Sequence, residues 1–295
     1  MEKSPKISII LPVHEDQKGL SSRLEELQRQ EKEPLWELVV VDDGSPVALT
    51  LGPEPAPHWA LIRNETRQGA AVSRNRGAEL ATGEYLVFLS AFLEIPKDYV
   101  QQVMSFVDSN RPVYAQHPIS LSPNLKLNHF QRFVGSHDLR VDDQGGELSI
   151  KQSLFTAALI KTDIFRELGG FDETMQHYGG HEMDLIYRLS QAGHDQRLLI
   201  QTCPLHRTAV STHEGIQARL REYGRIGLPN LLKKHPDLKG DILIYPLLWS
   251  TLRFFGLTGY WEKRLGNRIE NNRQLATSTY RLYLHLLMRN AWDAR

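Results

Sequence analysis

Short apolar runs alternate with helix-spaced segments through the N-terminal two thirds of the chain. Residues 7–11 form a β-rich apolar run closed by Pro12 and predict a buried strand. Leu20, Leu24 and Leu27 fall at helical spacing within 20–30. Residues 38–41 predict a second buried strand, which stops at the turn cluster Asp42-Asp43-Gly44-Ser45. Residues 60–62 and 85–89 predict a third and a fourth strand, and 113–115 a fifth. Helices are predicted over 70–81, with Gly83 as the stop, and over 97–110, introduced by Pro96. Further on, 153–168 reads as a strand or turn running into a helix, 184–192 as a helix closed by Gly193, and 197–200 as a short apolar run. Residues 118–150 read as loop. From Glu214 the pattern turns helical over 218–226 and 228–234, then passes through an aromatic-rich stretch at 242–261 to a last helical pattern at 268–290.

Strands alternating with helices at this spacing predict a parallel α/β sheet covered on both faces. Such sheets bind ligands beyond the carboxyl ends of their strands. His14-Glu15, Asp42-Asp43 and Ser90-Ala91-Phe92 each follow a predicted strand and so converge on one crevice.

Composition sharpens this picture in a few places. At 295 residues and 41% hydrophobic, the chain can bury a large core, which excludes global disorder. A single cysteine, Cys203, excludes a disulfide framework and a cysteine-rich zinc site. The net charge of zero conceals an asymmetry: residues 215–295 hold 14 Lys and Arg against 6 Asp and Glu, and the preceding residues 21 against 29. A basic C-terminal part on an acidic body suits a diphosphate, an anionic lipid or a partner surface, or is a solvated helical face. No basic, base-reading helix stands out, so a nucleic-acid partner is not expected. The N-terminus lacks the long apolar region of a secretory signal, and no stretch supplies about 18 uncharged apolar residues, so a cytoplasmic protein without a spanning helix is expected, with peripheral contact at the inner membrane face as an option.

The first strand is followed by Pro12-Val13-His14-Glu15-Asp16, not by a glycine-rich turn, and neither GxGxxG nor GxxxxGK[ST] is present. Dehydrogenase and P-loop readings therefore lose their strongest support. The second strand ends instead in two carboxylates, which accept hydrogen bonds from a ribose hydroxyl or a base N–H; the plainer alternative is that Asp42 or Asp43 only caps the next turn.

Five separated motifs, ISIILPVHED, VVDDGS, NETRQGAAVSRNRGAELATGEYLVFL, ELGGFDE and GGHEMDLIYRLSQAGH, occur in an order that resembles the family 2 glycosyltransferases of the GT-A fold, over about residues 6–215. The resemblance implies a mostly parallel central sheet flanked by helices over 1–214, with a helical C-terminal extension over 215–295. It further implies transfer of a sugar from a nucleotide sugar, usually a UDP-sugar, to a hydroxyl acceptor of glycan, lipid-linked or small-molecule type, as in polysaccharide biosynthesis. Carried onto this chain, Pro12, His14 and Glu15 line the nucleotide pocket together with Asp42 and Ser90. Asp43 receives the base N–H, and Arg74 and Asn75 lie near the base and sugar. Glu182 takes the place of the general base, with His181 where the family has a first acid and Asp184-Leu185 in their usual places.

Chemistry supports Glu182 independently. An inverting transfer needs one carboxylate to take the acceptor proton as oxygen attacks the anomeric carbon. The plainer reading is that Glu182 complements a helix N-terminus; His181 is an alternative base or a tuning group.

The chain departs from the family where the fourth strand should end in Asp-x-Asp, the carboxylates that hold a divalent metal on the donor diphosphate. Ser90-Ala91-Phe92 stands there, Glu94 lies two residues beyond, and His213 falls where many members have a late histidine. Hard Mg²⁺ or Mn²⁺ requires charged oxygen, so no metal ligand is assigned and metal involvement is disfavoured. One reading makes Arg221 and Arg225, four apart, the groups that stabilise the departing diphosphate in a metal-independent enzyme. A second makes the chain a degenerate, weak or inactive member that binds nucleotide or glycan. A third gives it a membrane-docking or assembly role through Tyr245, Trp249, Arg253, Phe254, Phe255, Tyr260, Trp261, Lys263 and Arg264, against which stands ordinary core packing. Residues 153–159 and 118–150 are expected to shape the acceptor side.

Overall fold

A computed structural model describes residues 5–30, 35–137, 155–175, 180–194, 196–239 and 246–294. The expected acceptor-side residues at 138–150 and 153–154, and Tyr245, lie outside them. The chain divides into two units. The first comprises Met1–Ser122, Leu139–Gln176 and Leu185–Thr208, and the second Pro123–Asp138, His177–Asp184 and Ala209–Arg295. The expected division at 214/215 thus falls a few residues earlier, and the second unit also takes in two segments from within the first part of the chain.

The first unit is built on a seven-stranded sheet. β1 (Ile7–Val13) lies between β2 (Trp36–Asp42) and β4 (Tyr85–Leu89), and β3 (Trp59–Arg63) flanks β2; all these pairs are parallel. β8 (Ala157–Lys161) then runs antiparallel to both β4 and β6 (Tyr114–Gln116), and β9 (Arg197–Leu199) closes the sheet parallel to β6. Strands buried on both faces read as continuous apolar runs, which is why β1, β2 and β4 stand out in the sequence. Period-two alternation assigns the faces. Ile7, Ile9, Leu11 and Val13 meet Leu20, Leu24 and Leu27 of α1 (Gln17–Gln28) and Val100, Val103 and Val107 of α3 (Tyr99–Asn110). Ile10, Leu86, Phe88 and Ile160 meet Ala71 and Ala78 of α2 (Ala70–Leu80), Phe165 of α5 (Thr162–Glu167), and Leu185, Ile186 and Leu189 of α6 (Gly180–Gln191).

A smaller sheet joins β5 (Leu93–Glu94), β10 (Leu205–Arg207) and β7 (Ile119–Leu121). These strands of two or three residues carry too little pattern to be seen in the sequence, and β7 replaces part of the expected loop at 118–150.

The second unit is helical. It contains α4 (His129–His137), which also falls within that expected loop, then α7 (His213–Glu222), a π-helical turn at Tyr223–Gly227, and α8 (Leu228–Lys234). α9 (Pro246–Phe254), α10 (Thr258–Glu270) and α11 (Thr277–Asp293) complete it. α11 supplies the centre of its core: Tyr280, Tyr283, Leu286 and Leu287 pack with Phe130, Phe133, Ile216, Trp249, Leu265 and Ile269. Trp249 is therefore core, as the plainer reading of the aromatic stretch held, whereas Phe254, Phe255 and Tyr260 are exposed. Among the described residues no helix is long and apolar enough to cross a membrane.

His117 shows how the first unit matches a buried polar side chain. His117, 2% exposed, has Nδ1 2.9 Å from the Cys203 carbonyl and Nε2 3.1 Å from the Tyr99 hydroxyl. Nδ1–H donates to the carbonyl, so a neutral imidazole accepts the tyrosine proton at Nε2. Burial pushes the imidazole pKa down to about 4, against the opposing effect of the Cys203 carbonyl. Burial likewise pushes the Cys203 thiol up to about 12, which marks it as an inert core residue. Because the unfolded imidazole binds a proton below its ordinary 6.5 and the folded one does not, this contribution is complete above 6.5 and is lost as pH falls toward about 4. His117→Gln should remove up to about 3 kcal/mol of the acid sensitivity in that window. The comparison of thermal midpoints for the two proteins across it checks this; identical slopes would count against the assignment.

Candidate active site

Three chain segments meet at the carboxyl ends of β1 and β2. Asp43 N–H donates to the Val13 carbonyl at 2.8 Å, which ties the two strand ends together. His14 Nδ1 lies 2.8 Å from the Asp43 carbonyl. Glu15 adopts a left-handed conformation, φ 54°, uncommon for a residue with a side chain, and its N–H donates to Ser45 Oγ at 2.9 Å. Pro12 pairs with Val41 in the β1–β2 register.

The two aspartates are buried and hold the chain around them. Asp42 accepts from the backbone N–H of Ser45 at 2.9 Å, from that of Leu49 at 3.2 Å and from Arg63 Nη1 at 3.0 Å. Asp43 Oδ1 accepts from Asn64 Nδ2 at 2.7 Å and Gln68 N–H at 2.9 Å, while Oδ2 accepts from Gly69 N–H at 2.9 Å. Gly69 directly precedes α2, so Asp43 fixes where that helix begins. Gly44, φ +65°, lets the two loops close on each other: a Cβ there would sit 2.3 Å from the Thr66 carbonyl carbon. Burial raises the Asp43 carboxyl, and the bonds from Gln68, Asn64, Gly69 and Ser73 outweigh it, holding the pKa below the usual 3.8. The same balance, with Ser45, Leu49 and Arg63 as the lowering partners, holds Asp42 down.

Arg74 is also internal. Nη2 donates to the Phe155 carbonyl at 3.0 Å and the guanidinium lies 5.3 Å from the centre of the Phe171 ring. Asn75 clamps the turn at 171: its amide donates to the Phe171 carbonyl at 2.8 Å and accepts from the Phe171 N–H at 2.9 Å. The family resemblance puts Arg74 and Asn75 toward base and sugar; the bonds seen here anchor Phe155 and Phe171 to α2. Asn64, 1% exposed, and Gln68 were not singled out as site residues, although both sit in the NETRQG stretch where polar residues follow β3.

The triplet after β4 offers no carboxylate. Ser90 Oγ accepts from the Phe92 N–H at 3.3 Å, the Ala91 side chain is buried, and the Phe92 carbonyl accepts from the Thr208 N–H at 2.8 Å. Glu94 lies in β5, paired in register with His206. His213 is committed to Tyr283, with Nε2 2.9 Å from the hydroxyl. Among the described residues no three His, Cys, Asp or Glu side chains come together as a metal site. A hydroxyl, a methyl and a benzyl group do not fit the metal that Asp-x-Asp would hold.

The remaining candidates belong to the second unit. Glu182 stands in the first turn of α6, with Oε1 4.0 Å from His181 Nε2. The helix starts at Gly180, four residues before the expected Asp184, so both side chains are helical. A helix N-terminus favours an ionised carboxylate, the form that accepts a proton. Asp184, fully buried, bonds to Lys234 Nζ at 2.7 Å and His235 Nε2 at 2.8 Å. Arg221 pairs with Glu262, whereas Arg225 is exposed within the π-helical turn. The four-residue spacing of these arginines therefore does not make them one-turn neighbours of an α-helix, because the π turn intervenes.

The sequence model of Glycosyl transferase family 2 matches residues 8–169, more than half the chain. The chain belongs to glycosyl transferase family 2. Among curated relatives of this family 2 protein, the pre-mycofactocin glycosyltransferase of Mycobacterium tuberculosis is 24% identical over 244 residues, covering 81% of this chain and 50% of that protein. N-acetylgalactosaminyltransferase 4 of Drosophila melanogaster is 25% identical over 224 residues, covering 65% of this chain and 34% of its own. The chain thus spans between a third and a half of these relatives' lengths. TarS of S. aureus, solved in complex with UDP-GlcNAc, superposes with a TM-score of 0.54 at 14% identity, covering 98% of this chain and 92% of that one. GalNAc-T7, solved with UDP, GalNAc and Mn²⁺, gives 0.52 at 14% identity, covering 81% and 52%. The fold is GT-A, as expected from the motifs.

Asp43→Asn leaves the buried N–H donors of Gln68, Gly69 and Asn64 with a weaker acceptor and brings in an amide NH₂ that faces other donors. It should cost about 1–3 kcal/mol at neutral pH. The wild-type contribution is complete above 3.8 and lost as pH falls through the lower folded value, so the variant should show a flatter acid limb. Urea unfolding at neutral and strongly acidic pH measures both; an unchanged neutral midpoint would refute the role.

Proposed function

We propose that this chain transfers a sugar from a nucleotide sugar, a UDP-sugar, to a hydroxyl acceptor with inversion, and does so without a divalent metal. Family 2 membership supports the reaction class. The UDP-GlcNAc complex of TarS and the UDP complex of GalNAc-T7 support the donor class. The observation that carries the reading is Glu182, a carboxylate held at the N-terminal turn of α6 beside His181 in a chain of this family.

In this reading Glu182 takes the acceptor hydroxyl proton as the oxygen attacks the anomeric carbon. The bond from that carbon to the diphosphate oxygen breaks, and its electron pair leaves with the nucleoside diphosphate. Pro12, His14, Glu15, Asp42, Asp43, Arg74 and Ser90 form the donor side, Asp42, Asp43 and Arg74 chiefly by fixing the loops around it. The leaving charge still needs a counter-charge, and Ser90-Ala91-Phe92 gives a metal no anchor. Arg221 and Arg225 supply it here. Arg225 would do so at less cost, because engaging a phosphate would take Arg221 off Glu262.

A second reading, nucleotide or glycan binding with little transfer, is favoured by the same missing aspartates. Turnover assays with UDP-, GDP-, CDP- and dTDP-sugars, in EDTA and in Mn²⁺, separate the two. Equal turnover of a UDP-sugar in both conditions is expected. Glu182→Gln should lower kcat by about 10²–10⁴-fold with donor affinity retained, and Arg225→Ala should weaken nucleoside diphosphate binding. Activity that requires Mn²⁺ would overturn the metal-independent reading, and binding without turnover would favour the second.

A further inference from the structure

We infer that the corner between α9 and α10 is a docking surface for an anionic lipid bilayer. Among the described residues, four of the seven exposed large hydrophobic side chains fall between 254 and 260: Phe254 at 84% exposure, Phe255 at 64%, Leu257 at 39% and Tyr260 at 53%. Single exposed apolar residues are ordinary, but four within seven positions form a patch.

The corner is fixed rather than frayed. α9 ends in a left-handed glycine, Gly256, φ +63°. The Leu257 N–H reaches back to the Leu252 carbonyl at 2.8 Å, and the Gly256 N–H to the Arg253 carbonyl at 3.0 Å, the paired bonds of a Schellman cap. Leu257 then passes the chain into α10, its carbonyl accepting from the Trp261 N–H at 3.0 Å. The two phenylalanine rings, 5.1 Å apart, are exposed on this capped turn, outside the core that holds Trp249 and Leu265.

Charge selects the occupant. Arg253 near the end of α9 and Lys263, Arg264 and Arg268 on α10 are exposed. Arg264 lies over the Tyr260 and Trp261 rings, 5.9 and 5.6 Å from their centres. Of the carboxylates on these helices, Glu262 binds Arg221 and Asn290, and Asp293 lies 3.2 Å from Arg253. That leaves Lys263, Arg264 and Arg268 against Glu270 on α10, a positive balance. An apolar tip with exposed cations on the helix that follows it matches a headgroup layer of negative charge over an acyl interior. A second copy of this face is a poor match, since a two-fold contact would set the two basic rims against each other.

Co-sedimentation of the full chain with vesicles of phosphatidylcholine alone, or of phosphatidylcholine mixed with phosphatidylglycerol, tests this. Binding is expected to the mixed vesicles and to weaken with salt. Phe254→Ser with Phe255→Ser should lower partitioning at least about tenfold, as should Lys263→Glu with Arg264→Glu. Phe254→Trp with Phe255→Trp should retain binding. These positions are exposed, so all three variants should melt with the wild type, which separates lost docking from lost folding. The inference is overturned if the wild type stays in the supernatant with mixed vesicles, or if the double serine variant sediments like wild type. A dimer seen by ultracentrifugation without lipid, and lost on the same serine substitutions, overturns it in favour of self-association.

Discussion

The Asp43 carboxylate is the junction at the carboxyl ends of β1 and β2. Its two oxygens gather one side-chain amide and two backbone N–H groups from the segment before α2, while its own backbone N–H closes β2 onto β1. The loops after β1, β2 and β3 are therefore not three independent surface segments. They share one buried anion, and a change at any of them is felt at the others. The cost of burying that charge is offset because each oxygen is met by directed donors.

The core of the first unit was legible because its strands are buried on both faces and interrupted by polar turns. β1, β2 and β4 appear as unbroken apolar runs, and Asp42-Asp43-Gly44-Ser45 announces the turn. β5, β7 and β10 were not legible: a strand of two or three residues is held by its neighbours' hydrogen bonds, not by its own pattern. α4 was hidden for a related reason. Its Phe130 and Phe133 pack around Tyr280 and Tyr283, partners far along the chain that no local window contains.

The candidate site was legible by residue type but not by use. Asp42, Asp43 and Arg74 stand out in the sequence as chemistry-bearing residues, yet their visible bonds run inward to Leu49, Gly69 and Phe155. A sequence displays which groups can bond; which of them the fold consumes depends on depth. The replacement of the metal-holding aspartates by Ser90-Ala91-Phe92 is the opposite case. Here chemistry alone decides, because no packing turns a benzyl group into an oxygen ligand.

The π-helical turn at Tyr223–Gly227 carries a consequence for everything after it. One surplus residue in a helix advances the azimuth of all later side chains by roughly 100°. Lys234 and His235, which bond the buried Asp184, lie downstream of that turn and carry its phase. The cluster that neutralises Asp184 is thus written partly as a count of residues ten positions upstream. A chain with the same amino acids but one fewer in that turn would present a different edge of α8 to the same carboxylate.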